Sequence, residues 1–166
     1  MLQAVTFGVI ALLTVIDQII KYVVDLYLKP MGTAGFIPGV RLNYLENTGA
    51  AFGSLTGNTT LLSVLTAVVL VALLIALGRK FFDSKILHWS IVLITAGGIG
   101  NLIDRIFRGY VIDYFEFTFF KFPVFNFADC LVTVGAAVAI VYLVYDIIVT
   151  AKKEKAEKAA KEKEND

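Results

Sequence analysis

The chain has 166 residues, 58% of them hydrophobic and only 17% charged, with a mean hydropathy of +0.77. A soluble domain is nearer half apolar and a quarter charged, so the composition points to one compact integral membrane bundle without a second domain. The formal net charge of +1 offers nothing to a nucleic acid, and the single cysteine, Cys130, excludes a disulfide framework and a cysteine-built metal site.

Residues 2–16 form an apolar run, and Asp17, Lys21 and Asp25 continue it in a helical pattern. A secretory signal peptide would need a basic start and a small-residue cleavage site. No Lys or Arg precedes Lys21, so a retained helix over about 2–28 is expected. Asp17 and Lys21 lie four apart on one helical face, acid first. As an ion pair they let two charges enter the membrane together. The sharper reading makes them braces for a site near the outer end of this helix.

Residues 29–60 read as a loop, because Pro30, Gly32, Gly35, Pro38, Gly39, Gly49, Gly53 and Gly57 break any long helix. Within it Val40, Leu42 and Tyr44 alternate with Arg41 and Asn43, which is a strand pattern. The small residues around Asn47, Thr48 and Gly49 suit a tight turn or a close backbone approach. A short sheet on the membrane surface is the expected picture.

Apolar runs over about 61–78 and 86–107 are each long enough to cross a bilayer, and a fourth runs over about 129–150. Gly97, Gly98 and Gly100 in the third would let helices pack closely. Residues 108–128 form a second outer loop, and residues 152–166 a charged tail, read as a solvated, frayed helix without chemistry. The expected class is therefore an all-α membrane protein: four transmembrane helices with a small β-rich extracytoplasmic region, one domain over residues 1–151.

Basic residues set the orientation. Arg79, Lys80 and Lys85 crowd the turn after the second helix, and Lys152, Lys153, Lys155, Lys158, Lys161 and Lys163 fill the tail. The positive-inside rule puts both in the cytoplasm, with both termini. The two long loops then share the outer face, which gathers Asp17, Asn47, Asp104, Asp113 and Asp129 on one side.

Several chemistries can be weighed against that frame. Cys130 with His88 fails as a nucleophile and base, since the two begin opposite ends of their helices, about 30 Å of hydrocarbon apart. Lys21 as a base for Ser54 fails because Asp17 and Asp25 flank it and keep it charged. A metal would have to rely on carboxylates alone, so neither metal nor cofactor is expected. Carboxylates at a membrane edge are costly and mark function. Asn101, Asp104, Arg105 and Arg108 share a helical face, so Asp104 is expected to pair with a base. Asp113 and Asp129 remain as an acid/base pair, in which like charges share one proton. Asn126 precedes Asp129 by three at a helix start, where the dipole favours negative charge; the same spacing suits a plain helix cap.

Five segments in this order resemble the bacterial lipoprotein signal peptidases, or signal peptidase II. They are Asp17-Gln18 with Lys21, Asn47-Thr48-Gly49-Ala50-Ala51-Phe52, Gly100-Asn101-Leu102-Ile103-Asp104-Arg105, Val111-Ile112-Asp113-Tyr114, and Phe122-Pro123-Val124-Phe125-Asn126-Phe127-Ala128-Asp129. The resemblance covers nearly the whole chain up to the tail. It implies an aspartic endopeptidase of the bacterial plasma membrane with Asp113 and Asp129 as its catalytic dyad. Supporting or substrate-binding roles are implied for Asp17, Lys21, Asn47, Gly49, Asn101, Asp104, Arg105 and Asn126. The implied substrate is a prolipoprotein whose cysteine carries diacylglycerol, cut just before that cysteine, with membrane lipids as the other partner. Tyr114 departs from the usual Phe, which touches packing more than chemistry. A monomer is expected. The alternative is a small proton-coupled transporter using the intramembrane Asp and Lys residues. That alternative wants ionisable groups at several depths, whereas the cluster here lies to one side. A membrane scaffold would explain the helices but not the gathered polar residues.

Overall fold

The computed structural model describes residues 2–49 and 58–164, with side chains as far as residue 155. Helix α1 (Leu2–Val23) runs on into a π-helical turn (Val24–Leu28), and strands β1 (Thr33–Ile37) and β2 (Val40–Asn47) follow. Then come α2 (Thr59–Gly78), α3 (Lys85–Phe107), β3 (Val111–Phe117) and α4 (Phe127–Glu164). Four helical segments, Leu2–Leu28, Thr59–Gly78, Lys85–Phe107 and Phe127–Lys155, are long and apolar enough to cross a membrane.

Helix α3 is the hub and packs on each of the other three. Lipid tails are as apolar as leucine, so helices associate through close packing and polar contacts rather than hydrophobic burial. Gly97 and Gly100 supply that closeness. A methyl group at Gly97 would overlap the Ala128 carbonyl, and one at Gly100 would stand 2.5 Å from Asp17 Oδ2. Ile10, Leu77, Val92 and Ala96 form a buried cluster where α1, α2 and α3 meet. Helix α2 instead exposes Val64, Leu65, Val68, Val69 and Val71, as a lipid-facing helix should.

The three strands form one antiparallel sheet in the order β1-β2-β3. Of these only β2 is written plainly in the sequence. The expected second loop contains β3, and α4 begins at Phe127 and continues without a break through the charged tail. The register of β2 on β3 carries one irregularity: Leu42 pairs with Phe115, but Leu45 pairs with Asp113 and Asn47 with Val111. Three steps along β2 therefore match two along β3, so β2 holds one extra residue. Side chains alternate faces along a strand, and a one-residue slip turns everything beyond it over. Continued without the slip, the pairing would send Asn47 to the face of Ile112 and Tyr114. With it, Asn47 shares the face of Val111 and Asp113. The other face of β3 places Ile112 and Tyr114 in a buried cluster with Val24 and Leu28. That cluster fastens the sheet to the end of α1.

Candidate active site

The site starts from a buried charge cluster. Lys21 is fully buried, and its Nζ lies 3.0 Å from Asp17 Oδ2 and 2.9 Å from Asp104 Oδ2. Its third donor goes to Asn101 Oδ1 at 2.8 Å. All three N–H groups of the ammonium are thus used. Asp104 also accepts the Ile112 N–H at 3.3 Å and faces Arg108 Nε at 3.5 Å. The expectation that Asp104 pairs with bases rather than standing free agrees with this geometry.

Three elements hold the start of α4. The first turn of a helix has N–H groups without intrahelical partners. Here the Phe127 N–H donates to Tyr114 Oη at 3.1 Å, the Ala128 N–H to Asp17 Oδ1 at 3.1 Å, and the Asp129 N–H to Asn126 Oδ1 at 2.9 Å. Asp129 Oδ2 returns a bond by accepting the Asn126 N–H at 3.1 Å. Asn126 is thus the N-cap and Asp129 the third helical residue of a reciprocal capping arrangement. The sheet, α1 and the helix itself fix where the Asp129 carboxylate sits.

Three carboxamides then surround the two aspartates. Asn126 Nδ2 donates to Asp113 Oδ1 at 2.7 Å, and Asn47 Nδ2 to Asp113 Oδ2 at 2.8 Å. Asn101 Nδ2 donates to Asp129 Oδ1 at 2.8 Å. Which end of each amide points inward is settled from outside by groups that can only donate. Asn47 Oδ1 accepts the Gly49 N–H at 2.9 Å, Asn101 Oδ1 accepts Lys21, and Asn126 Oδ1 accepts the Asp129 N–H. All four carboxylate oxygens therefore face N–H donors.

Both carboxylates open onto a cavity of about 670 Å³ lined by Asn47, Asn101, Arg105, Asp113 and Asp129 on its polar side. Leu45, Val111, Val124, Val132 and Val134 form its apolar wall. Arg105 donates to the carbonyls of Asn101 and Gly49 at 3.4 and 3.3 Å, while its Nε is buried with no partner among the described residues. Asp113 is pushed up to about 7 by burial first and by the neighbouring Asp129 second. The bonds from Asn47 and Asn126 and the Lys21 charge oppose that rise. Burial raises the Tyr114 phenol as well.

All ten residues singled out from sequence meet in this one network: Asp17, Lys21, Asn47, Gly49, Asn101, Asp104, Arg105, Asp113, Asn126 and Asp129. Ala50, Ala51, Phe52 and Ser54 lie outside the described residues. His88 is elsewhere, with its Nε2 2.8 Å from Thr6 Oγ1. Cys130 is half-buried and lines the cavity. Sequence reasoning missed the capping role of Tyr114. It also gave no role to Gln18, whose Nε2 reaches Asp17, the Gly100 carbonyl and Asp104 at 3.2, 3.1 and 3.4 Å. Gln18 follows Asp17 within the otherwise apolar stretch between Thr14 and Lys21, and that was its signal.

The family described as signal peptidase (SPase) II matches residues 9–145. The chain belongs to the signal peptidase II family. Lipoprotein signal peptidases are among its relatives. The one from Enterococcus faecalis is 37% identical over 99% of this chain and 96% of its own. That of Halothermothrix orenii is 43% identical over 81% and 92%, and that of Caldanaerobacter subterraneus subsp. tengcongensis 39% over 78% and 89%. Two solved structures, each of a bacterial membrane enzyme, superpose with TM-scores of 0.80 and 0.76. They are 28% and 29% identical, cover 87% and 86% of this chain, and are matched over 90% and 94% of their own length. This family member is thus a multi-pass bacterial membrane protein and a signal peptidase hydrolase. The transporter reading has no support.

Proposed function

We propose that this signal peptidase is an aspartic endopeptidase that removes the signal peptide from diacylglyceryl-modified prolipoproteins, cutting just before the lipidated cysteine. The observation that carries the reading is a shared one: Asp113 and Asp129 both open onto one cavity, and Asn126 bonds both. Two carboxyls that share one proton suffice for peptide hydrolysis. Asp129, at the head of α4, takes a proton from water as the water oxygen bonds to the scissile carbonyl carbon. Asp113, with its raised affinity for a proton, donates one to the carbonyl oxygen. The tetrahedral species collapses as the proton held on Asp129 passes to the departing cysteine nitrogen and the C–N bond breaks. The proton on the oxygen returns to Asp113, and the pair is restored. Asn47, Asn101 and Asn126 hold the two carboxylates in place, and Gly49 with Arg105 shapes the approach.

The apolar wall of the cavity supports a lipidated substrate, whose acyl chains would stay in the bilayer beside the bundle. The basic turn and tail support cytoplasmic termini and a site at the outer face of the plasma membrane. One domain over residues 1–151, acting as a monomer without metal or cofactor, accounts for the arrangement. The aromatic cluster of Phe117, Phe119, Phe120, Phe122 and Phe125 sits where it could flank a bound peptide. The deciding experiment incubates purified protein in detergent with a diacylglyceryl-modified prolipoprotein. A shortened product beginning at the lipidated cysteine is expected; an intact precursor, or a cut elsewhere, would end the reading.

A further inference from the structure

We propose that Lys21 is a positioning residue for the dyad: its ammonium holds the Asn101 oxygen and so turns the Asn101 amide N–H onto Asp129. The inference rests on the dyad reading above. Lys21 lies on α1, two hydrogen bonds from Asp129 through Asn101, at 2.8 Å for each bond. A second branch runs from the same Asn101 oxygen, which also accepts Asn126 Nδ2 at 3.1 Å, and Asn126 Nδ2 in turn donates to Asp113. One ammonium therefore reaches both carboxylates through neutral amides.

A purely structural account of Lys21 is not enough. Replacing a buried ion cluster by apolar residues of similar volume is often neutral or stabilising, so burial of this charge is not explained by fold stability. Two carboxylates, Asp17 and Asp104, already use two of its donors. The third is directed at an amide whose other end meets Asp129. An amide pinned by a cation cannot present its oxygen to Asp129, where it would repel a carboxylate. Lys21 also places a positive charge beside the pair without contacting the cavity. The charged and titratable groups around it are Asp17 on α1, Asp25 on the π-helical turn, Asp104 and Arg105 on α3 with Arg108 at its C-cap, Asp113 and Tyr114 on β3, and Asp129 on α4. Among these the Lys21 charge opposes the rise at Asp113.

The test uses the full-length enzyme and two charge-neutral pairs, D17N/K21M and K21M/D104N, each of which removes one acid with the base. Either pair is expected to lower kcat about 10- to 100-fold, the scale of a displaced catalytic group, with KM within about threefold. The pH optimum should move upward by about one pH unit, since losing the Asn101 N–H bond to the Asp129 carboxylate favours the protonated pair. N101A, which leaves the ion cluster intact, should show the same fall and the same upward move. Adding either pair to N101A should then change kcat little further, because the effect passes through Asn101. Additive losses overturn the proposal, as does a wild-type pH profile in a folded pair. A wild-type pH profile in N101A overturns it even if neither pair folds. D113N and D129N are measured alongside. If they remain active, the dyad reading itself fails. If they are inactive while the pairs behave as wild type, only the role of Lys21 falls.

Discussion

Asp17 Oδ1 accepts the Ala128 N–H at 3.1 Å, a bond between residues 111 apart in the chain. The other oxygen of the same carboxylate meets Lys21. One side chain of α1 therefore joins the buried charge cluster to the head of α4, one residue before Asp129. The acid is fully buried, and its two tasks differ: one needs only an acceptor, the other needs charge.

Those tasks can be separated. D17A removes both and leaves Lys21 short of a partner, which should destabilise the protein by about 3–5 kcal/mol. D17N keeps an oxygen for the Ala128 N–H and should lose only about 1–3 kcal/mol. Thermal unfolding in detergent gives the order. If D17A instead abolished turnover at wild-type stability, Asp17 would belong to the chemistry rather than its support.

Gly100 faces Asp17 at close range, so G100A is expected to destabilise by about 1–3 kcal/mol, with activity falling as the carboxylate is displaced. A methyl there would stand 2.5 Å from Oδ2 and 3.4 Å from the Ala128 Cβ, whereas nothing lies within 4 Å of one at Gly8. G8A is the control and should be neutral or slightly stabilising, because alanine favours a helix by up to about 1 kcal/mol over glycine. Equal behaviour of the two variants would show that α1 and α3 can separate without cost.

Much of this was legible in the sequence because membranes make polar residues conspicuous. Asp17, Lys21, Asn101 and Asp104 interrupt apolar runs, and helical spacing alone put the first pair and the second pair on common faces. The four crossings were equally plain from hydropathy. The strand carrying Asp113 was not, since Val111 to Phe117 is apolar on both faces except at Asp113 and Glu116 and lacks an alternation. The slip in β2 that turns Asn47 toward Asp113 depends on pairing between segments more than sixty residues apart, which no local pattern records. The tail was legible as a helix but not as a continuation of α4, which enters it already formed, so no new nucleus is required.

The Asp113 carboxyl gives a stability prediction with a definite sign. Its native affinity for a proton lies at about 7 against 3.8 for the ordinary carboxyl. The native state thus holds a proton that the unfolded chain releases between those values, and stability from this group falls as pH rises from about 4 to 7. At 1.36 kcal/mol per pH unit the loss is on the order of 4 kcal/mol. D113N does not titrate there. Its stability relative to wild type should therefore improve steadily from pH 4 to pH 8 in denaturation curves. A constant difference across that range would mean that Asp113 is not held protonated.

Lipid should matter to turnover. With acyl chains retained beside the apolar wall of the cavity, the same precursor lacking diacylglycerol should be cut at least about 10-fold more slowly, roughly the 1.4 kcal/mol that two buried methylenes contribute. Gel assays on matched precursors measure this. Equal rates would favour a general signal peptidase that reads peptide alone.

The dyad gives the sharpest expectation. D113N and D129N preserve size and most packing, but a carboxamide can neither accept the proton of water nor relay it onward. Each should lose at least about 10³-fold in kcat, and the double variant should be little worse than either, because groups acting as a unit do not add. A structural penalty accompanies the chemical one. Every oxygen of the pair faces an N–H donor whose direction Lys21, the Gly49 N–H or the Asp129 N–H has fixed. An asparagine at either site must therefore turn its own NH2 toward one of those donors, losing a bond that an ionised carboxylate keeps, worth about 1–3 kcal/mol when buried. Unfolding of D129N, which replaces the carboxylate that the mechanism needs ionised, should show that loss at neutral pH, while binding of the lipidated precursor persists. Activity of the wild type should fall on both sides of one optimum, since the pair needs one proton rather than none or two. Near-normal turnover in either single variant would remove the aspartic mechanism and make Asp104 the next carboxylate to replace.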